Sequence, residues 1–453
     1  MVSVLASGSP KAQVAALVSI RKLLSVEKNP PLQEAIDAGA VPHLVTMASQ
    51  DHIPQAKFEA LWALTNIASG TSAHTRVVME SGAIPSAIAA LSSPNLDVVE
   101  QSVWLLGNIA GDSVDARDML LGAGMMEPLL AQLSSHPRTT LLRNATWALS
   151  NLCRGKPQPS LDYVGPALGP LAALVYVDDV EVLTDACWSL SYISDGSNDR
   201  VQAVLESGVV RRLIELIHSP EHSVVTPALR TLGNLVTGSD EQTQAVLNQG
   251  VLAACLPLLV HPKRGIRKET CWLLSNITAG TRSQIQSVID ANLFPLLVHL
   301  LRDESFDVKK EAAWAVSNAT SGGSDEHIQY LVSQGVIQPL VSLFQCHDSR
   351  VVMVALEGVD NILSAGERVK QAQGLGENLF AGFFEECGGL DALEQLQNHE
   401  AANIYDKAVS ILQTYFEVEG DDDGVDEGQQ GTTETQGATF SFAPPAEDDD
   451  DDL

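Results

Sequence analysis

Five tryptophans of this 453-residue chain are each followed, four residues later, by an asparagine. The pairs are Trp62 and Asn66, Trp104 and Asn108, Trp147 and Asn151, Trp272 and Asn276, and Trp314 and Asn318. Residues i and i+4 share one face of an α-helix, so each pair sets an indole beside a carboxamide. An indole face attracts cations and packs against the methylene stem of lysine, at about 0.5–2 kcal/mol per contact. A carboxamide both donates and accepts hydrogen bonds, so a row of them can hold an extended peptide backbone without reading its sequence. The combination selects Lys/Arg runs. Around Trp62, the residues Ala60, Leu61, Leu64 and Ile67 form an apolar stripe of their own, which leaves Trp62 and Asn66 to another face. Asp112 closes the second stretch, where it either holds one ammonium by a charge-assisted hydrogen bond or caps the next helix.

These pairs need a scaffold that repeats. Equivalent positions fall at Asn66, Asn108, Asn151, Tyr192, Asn234, Asn276, Asn318 and Asn361, at intervals of 42, 43, 41, 42, 42, 42 and 43 residues. Each lies near the end of an amphipathic stretch that runs into Gly70, Gly111, Gly155, Gly196, Gly238, Gly280 or Gly322, where a left-handed glycine is expected to end the helix. A short helix follows, then a corner at Gly82, Gly124, Gly208, Gly250 or Gly335, with Asn292, the next-best left-handed residue, filling that place once. A second helix completes the unit. Three helices in ~42 residues match the ~40–47 residues of armadillo and HEAT units. One such unit cannot bury its own apolar face, so the expected fold is all-α, a right-handed superhelical solenoid of about ten repeats with the first incomplete. The expected segments are an extension over residues 1–10, the solenoid over 11–418 and an acidic, disordered tail over 419–453.

Composition excludes several classes. Hydrophobic residues make up 45% and aromatics only 5%, so Leu, Ala and Val carry the packing. No run reaches the roughly 18 apolar residues of a membrane span, so no membrane partner is expected. The six cysteines form no CxxC pair, the histidines form no HExxH, and neither a phosphate loop nor GxSxG occurs. Neither an enzyme, a metal site nor a cofactor is expected. The net charge is −30, of which residues 417–453 supply fourteen acids and no bases, leaving −16 before them. That acidity disfavours direct nucleic-acid binding and favours cationic partners.

The repeated segments Trp62-Ala-Leu-Thr-Asn66, Val103-Trp104-Leu-Leu-Gly-Asn108-Ile-Ala-Gly-Asp112, Trp147-Ala-Leu-Ser-Asn151, Cys187-Trp188-Ser-Leu-Ser-Tyr192, Arg230-Thr-Leu-Gly-Asn234, Lys268-Glu269-Thr-Cys-Trp272 and Lys310-Glu311-Ala-Ala-Trp314 closely resemble importin-α, the nuclear-import adaptor family. The resemblance runs from about residue 11 to 418 and includes the family's own irregularities at Tyr192 and Arg230. It implies recognition of mono- and bipartite nuclear localisation signals, extended Lys/Arg-rich peptides, in an inner groove. By that resemblance the major site uses Trp62, Asn66, Gly70, Thr75, Gln101, Trp104, Asn108, Asp112, Asn144, Trp147, Asn151, Asp185 and Trp188, with Asp112 taking the key lysine. The minor site uses Asn234, Val236, Thr243, Glu269, Trp272, Asn276, Glu311, Trp314 and Asn318. Also implied are shuttling between cytoplasm and nucleus and an export receptor of the CAS type that engages the C-terminal repeat region.

Spacing agrees with such a ligand. Packed helices lie ~8–10 Å apart, so Trp62 to Trp147 spans about 16–20 Å, the reach of roughly five extended residues. Tyr192 and Arg230 then break the array, and the three repeats from Trp147 to Trp272 need a linker of about eight to ten extended residues. The family begins with a basic arm that binds importin-β and, when free, folds back into the groove. Residues 1–25 hold only Lys11, Arg21 and Lys22 as bases, so an uninhibited groove is expected, with Trp62 facing an empty site, and importin-β is a partner only where a basic arm exists. The alternative reading is a catenin-like armadillo scaffold for other peptides, which would need a groove lined by Lys and Arg.

Overall fold

A computed structural model describes residues 1–135 and 138–416, so the expected acidic tail lies outside the described residues. Among the described residues there is no β-strand. The chain divides into two compact units between Leu213 and Ile214.

The first unit repeats one three-helix pattern. Leu32–Asp37, Ala40–Ala48 and Pro54–Ala68 form one set, Ser72–Glu80, Ala83–Ala90 and Leu96–Asp112 the next, and Val114–Gly122, Met126–Ser135 and Thr139–Cys153 a third. Leu161–Val164, Leu168–Leu174 and Val180–Ser194 make a fourth with shortened first helices, in a stretch that carries Pro157, Pro159, Pro166 and Pro170. Proline lacks the N–H that a helix interior requires. Ahead of these sets, Pro10–Leu24 is the expected last helix of an incomplete unit. Within the extension over residues 1–10, Val2–Ser7 is helical, Leu5 is buried, and Gln13 Nε2 donates to the Leu5 carbonyl at 2.9 Å.

The second unit continues the pattern from His222–Leu235 through Asp240–Leu247, Val251–Cys255 and Arg264–Thr278, then Arg282–Asp290, Phe294–Asp303 and Phe306–Gly322. After Asp325–Ser333 and Ile337–Ser342, the helix Ser349–Gln373 runs for 25 residues. The atypical end comprises Leu379–Glu386, Gly389–Leu396 and Ala402–Tyr415.

The third helix of each set forms the ladder, and its core side is aliphatic. Leu61, Leu64, Ile67, Leu105, Leu106, Ile109, Leu149 and Leu152 are all fully buried. The expected corners hold: Gly82, Gly124, Gly208, Gly250 and Gly335 have φ of 78–87°, and Asn292 has φ of 55°. The expected left-handed helix ends are corrected. Of the seven glycines proposed there, only Gly155 (φ 100°) and Gly196 (φ 137°) are left-handed, and Gly111 and Gly322 lie inside helices. The chain turns instead because the next helix captures it. Thr71, Ser239, Thr281 and Ser324 each form a capping box with the residue three positions on. Four cysteines, Cys153, Cys187, Cys255 and Cys271, are buried thiols, and burial pushes the first three up to about 12.

Candidate functional site

In the first unit the ladder helices bring the expected residues onto successive rungs. Trp104 is 45% exposed, and Trp62, Trp147 and Trp188 are half-buried. The asparagines are not idle between them. Asn108 Nδ2 donates to the Thr65 carbonyl at 3.3 Å, Asn151 Nδ2 to the Gly107 carbonyl at 3.1 Å, and Asn66 Nδ2 to Ser25 Oγ at 2.9 Å. Asn108 and Asn151 each give one amide proton to the preceding ladder helix, and Asn66 gives one to the Ser25 hydroxyl just past Pro10–Leu24, so each plane is fixed. Nearby, Gln101 Nε2 donates to Thr65 Oγ1 at 2.7 Å, Asn144 Nδ2 to Glu100 Oε1 at 3.4 Å, and buried Thr75 Oγ1 to the Ala68 carbonyl at 3.1 Å. Gly70 is exposed just past the first ladder helix.

The indoles are seated by what precedes them. A Cβ on Gly107 would lie 2.3 Å from Trp147 Cζ3, so the glycine makes room for the next rung's ring. Gly107→Ala is therefore expected to cost about 1–3 kcal/mol of stability by overpacking and to displace Trp147. A thermal midpoint equal to that of the unsubstituted chain would contradict this seating. Further along, the Tyr192 ring stacks on Trp188, with centroids 5.7 Å apart and planes 20° apart, so at the break an aromatic takes the place of a carboxamide.

Two carboxylates of this run have no ion-pair partner among the described residues. Asp112 is half-buried at the last residue of its helix, and it does not cap the following one. That role belongs to Ser113, whose Oγ accepts from the Ala116 N–H at 3.3 Å. Asp185 has no ion-pair partner among the described residues, and its burial, helped by the neighbouring Glu181, pushes its carboxyl up to about 6.

In the second unit the expectation of side-by-side exposed indoles and carboxamides is corrected. Trp272 is 1% exposed, and Trp314, Asn234, Asn276 and Asn318 are buried as well, with Val236, Thr243, Glu269 and Glu311. The reason lies at the array break. Arg230 Nη2 and Nε donate to Glu269 Oε1 and Oε2 at 2.6 and 2.7 Å, which holds the guanidinium 5.8 Å over the Trp272 ring. Beneath, the ring lies on Gly233, where a Cβ would meet Cζ3 at 2.1 Å. Asn318 Nδ2 again ties back, to the Ser275 carbonyl at 3.0 Å, and Thr243 Oγ1 donates to the Val236 carbonyl at 3.3 Å, as Thr75 does to Ala68. Trp272 Nε1 and Asn276 Nδ2 are buried without a hydrogen-bond partner. Glu311, with no ion-pair partner among the described residues, has its carboxyl pushed up to about 7 by burial and by Glu269, against the opposing pull of Lys310 and Lys268.

The expectation that Trp62 faces an empty site is also corrected. The Arg21 guanidinium lies 4.3 Å from the Trp62 ring centroid, and it is paired with buried Glu59 through Nε at 2.8 Å and Nη2 at 3.3 Å. Sequence reasoning passed over Arg21 and Glu59. The signal was in the register: Arg21 stands one repeat before Trp62, as Arg230 stands one repeat before Trp272, and Glu59 precedes Trp62 by the spacing at which Glu269 precedes Trp272.

Comparison with known proteins accords with this arrangement. The armadillo/β-catenin-like repeat model matches residues 28–69, 71–111, 113–154, 197–237, 239–279, 281–321 and 324–364, and an atypical Arm repeat model matches 378–430. The proline-rich fourth set lies between the matches at 113–154 and 197–237. The chain is 60% identical over 412 residues to importin subunit alpha-2 of Arabidopsis thaliana, covering 90% of this chain and 77% of that protein. It is 52% identical over 423 residues to importin subunit alpha-1b of Oryza sativa subsp. japonica (93% and 79% covered) and 50% over 445 to importin subunit alpha-B of Dictyostelium discoideum (98% and 84%). Among solved structures, an engineered protein matches with a TM-score of 0.83 at 28% identity, over 91% of this chain and 97% of its own. A computationally designed armadillo repeat protein for modular peptide recognition matches with a TM-score of 0.50 at 30% identity, over 55% and 99%. With a repeat model matching most of its length and relatives of this identity and coverage, the chain belongs to the importin α family of armadillo-repeat proteins.

Proposed function

We propose that this chain is a nuclear-import adaptor that holds extended Lys/Arg-rich localisation signals along its ladder helices. The observation that carries the reading is the first run itself. Half-buried to exposed indoles alternate with asparagines whose amide planes are fixed by the preceding helix, beside the carboxylates of Asp112 and Asp185, which have no ion-pair partner among the described residues. Fixed amides supply the backbone grip, indole faces take lysine stems, and the carboxylates take ammonium groups. The second run offers the same groups in a drier setting. A peptide carbonyl reaching Asn276 Nδ2 or Trp272 Nε1 would satisfy a donor whose burial without a partner costs about 1–3 kcal/mol. One basic cluster per run gives a bipartite signal. Supporting the reading are the importin α relatives, whose family consists of adaptors and not enzymes.

The same reading extends to partners and location. The adaptor shuttles between cytoplasm and nucleus, with a CAS-type export receptor engaging the atypical repeat that begins at Leu379–Glu386. Importin-β recruitment is proposed for a form that carries a basic arm. Within residues 1–25, Arg21 is committed to Glu59. The test is calorimetric titration with two peptides of equal length, one Lys-rich and one Glu-rich. Binding of the Lys-rich peptide alone is expected, and tight binding of the Glu-rich peptide with none of the other would overturn the reading in favour of a scaffold for acidic segments.

A further inference from the structure

We infer that Arg21, clamped by Glu59, is a fixed internal cation that closes the first tryptophan run at Trp62 and so limits how many ligand cations that run accepts. The inference rests on the proposed function and adds a specificity-determining residue to it. Arg21 lies on Pro10–Leu24, at the place in the repeat that tryptophan fills on the next rungs. Its guanidinium sits 4.3 Å from the Trp62 centroid, inside the ~6 Å range in which a cation is held by an indole face. Glu59 fixes it there by two hydrogen bonds, with the side chains 17% and 7% exposed. Phe58 meets the Trp62 ring edge at 5.6 Å, so the indole is braced as well as covered. Among the described residues, Trp104 and Trp147 carry no such cation.

Two consequences follow from charge alone. A ligand lysine directed at the covered face of Trp62 meets a like charge that cannot swing away, because its planar fork is bonded at both ends. The carboxylate that would have served as its counterion is already neutralised. The second unit repeats the device, with Arg230 on Glu269 and over Trp272, so each tryptophan run begins behind an arginine that takes the place of a ligand cation. A buried ion pair is weak evidence for added stability, and fixing register is its best-attested use. Here the register fixed is that of the ligand.

The experiment uses the full chain and three synthetic peptides at one ionic strength. The parent carries a single Lys-rich cluster, and two longer peptides add lysines at its N-terminal or its C-terminal end. The quantity read is the ratio of longer-peptide to parent affinity, which cancels the general attraction of an acidic protein for added positive charge. In the unmodified chain the ratio for the peptide whose added lysines run toward Trp62 should stay near unity. In Arg21→Ala one of the two ratios should rise by about fivefold to tenfold, the scale of one recovered cation slot. Because Arg21→Ala leaves Glu59 buried without its partner, the Arg21→Gln, Glu59→Gln double variant is measured beside it, with thermal melts of both. The double variant uncovers Trp62 with no orphaned charge and should show a smaller rise in the same ratio. Equal ratios in all three proteins would overturn the stop while leaving the proposed function standing. Failure of the unmodified chain to bind even the parent would overturn both.

Discussion

Asp112→Lys is expected to weaken binding of a short Lys-rich peptide by about a hundredfold or more. The carboxylate closes the Leu96–Asp112 helix beside Trp104 and Asn108, and Ser113 relieves it of any capping duty. Its contribution is thus available to a ligand ammonium, where a charge-assisted hydrogen bond is worth about 1.5–3 kcal/mol. Replacing it with lysine removes that bond and adds a like charge, which together reach about 3 kcal/mol or a hundredfold in affinity. Fold stability should change little, because the side chain makes no ion pair among the described residues. Glu311→Arg belongs to the other unit and should leave this peptide within roughly twofold, as substitutions at distant, independent sites do. Calorimetry on the two variants decides the point: equal small losses would contradict the placement of the key lysine at Asp112.

Glu311→Arg should have the converse effect, weakening binding to the second run by about a hundredfold, or about 3 kcal/mol. The wild-type carboxylate also gives that run a pH signature. Burial holds its carboxyl near 7, so at pH 6 most of the population carries a proton and at pH 8 most is ionised. Only the ionised form attracts Lys or Arg, and a bound cation pulls the pKa back down. Affinity should therefore rise roughly tenfold from pH 6 to pH 8 and then level off. Stability without ligand runs the other way. The folded protein keeps a proton that the unfolded chain releases in the ordinary carboxylate range, so the Glu311 contribution is full below that range and is lost as pH rises to about 7. Glu311→Gln should remove the affinity slope and the Glu311 share of the stability slope. Persistence of the affinity slope in Glu311→Gln would assign it to another group.

Much of this was legible in the residues. The repeat interval and the alternation of aliphatic stripe with Trp/Asn face placed every ladder helix, because helical phase is a local property. The left-handed corners followed from Gly82, Gly124, Gly208, Gly250, Gly335 and Asn292, where no other common residue adopts that conformation cheaply. The helix ends misled because Gly70, Gly238 and Gly280 stand next to Ser and Thr residues whose capping boxes do the turning. What could not be read was contact between rungs. That Asn151 spends a proton on the Gly107 carbonyl, or that Trp272 disappears beneath Arg230, depends on side chains a whole repeat apart. The register did place Arg21 in the tryptophan column; its consequence for Trp62 emerged only when both helices were packed.

The measurement closest to the central claim is a crystal structure of this chain with a Lys-rich peptide of about ten residues. An extended peptide is predicted along Trp62, Trp104 and Trp147, with its backbone bonded to Asn108 and Asn151 and one lysine ammonium on Asp112. A peptide seated on any other face of the ladder helices, or bound there as a helix, would contradict the account.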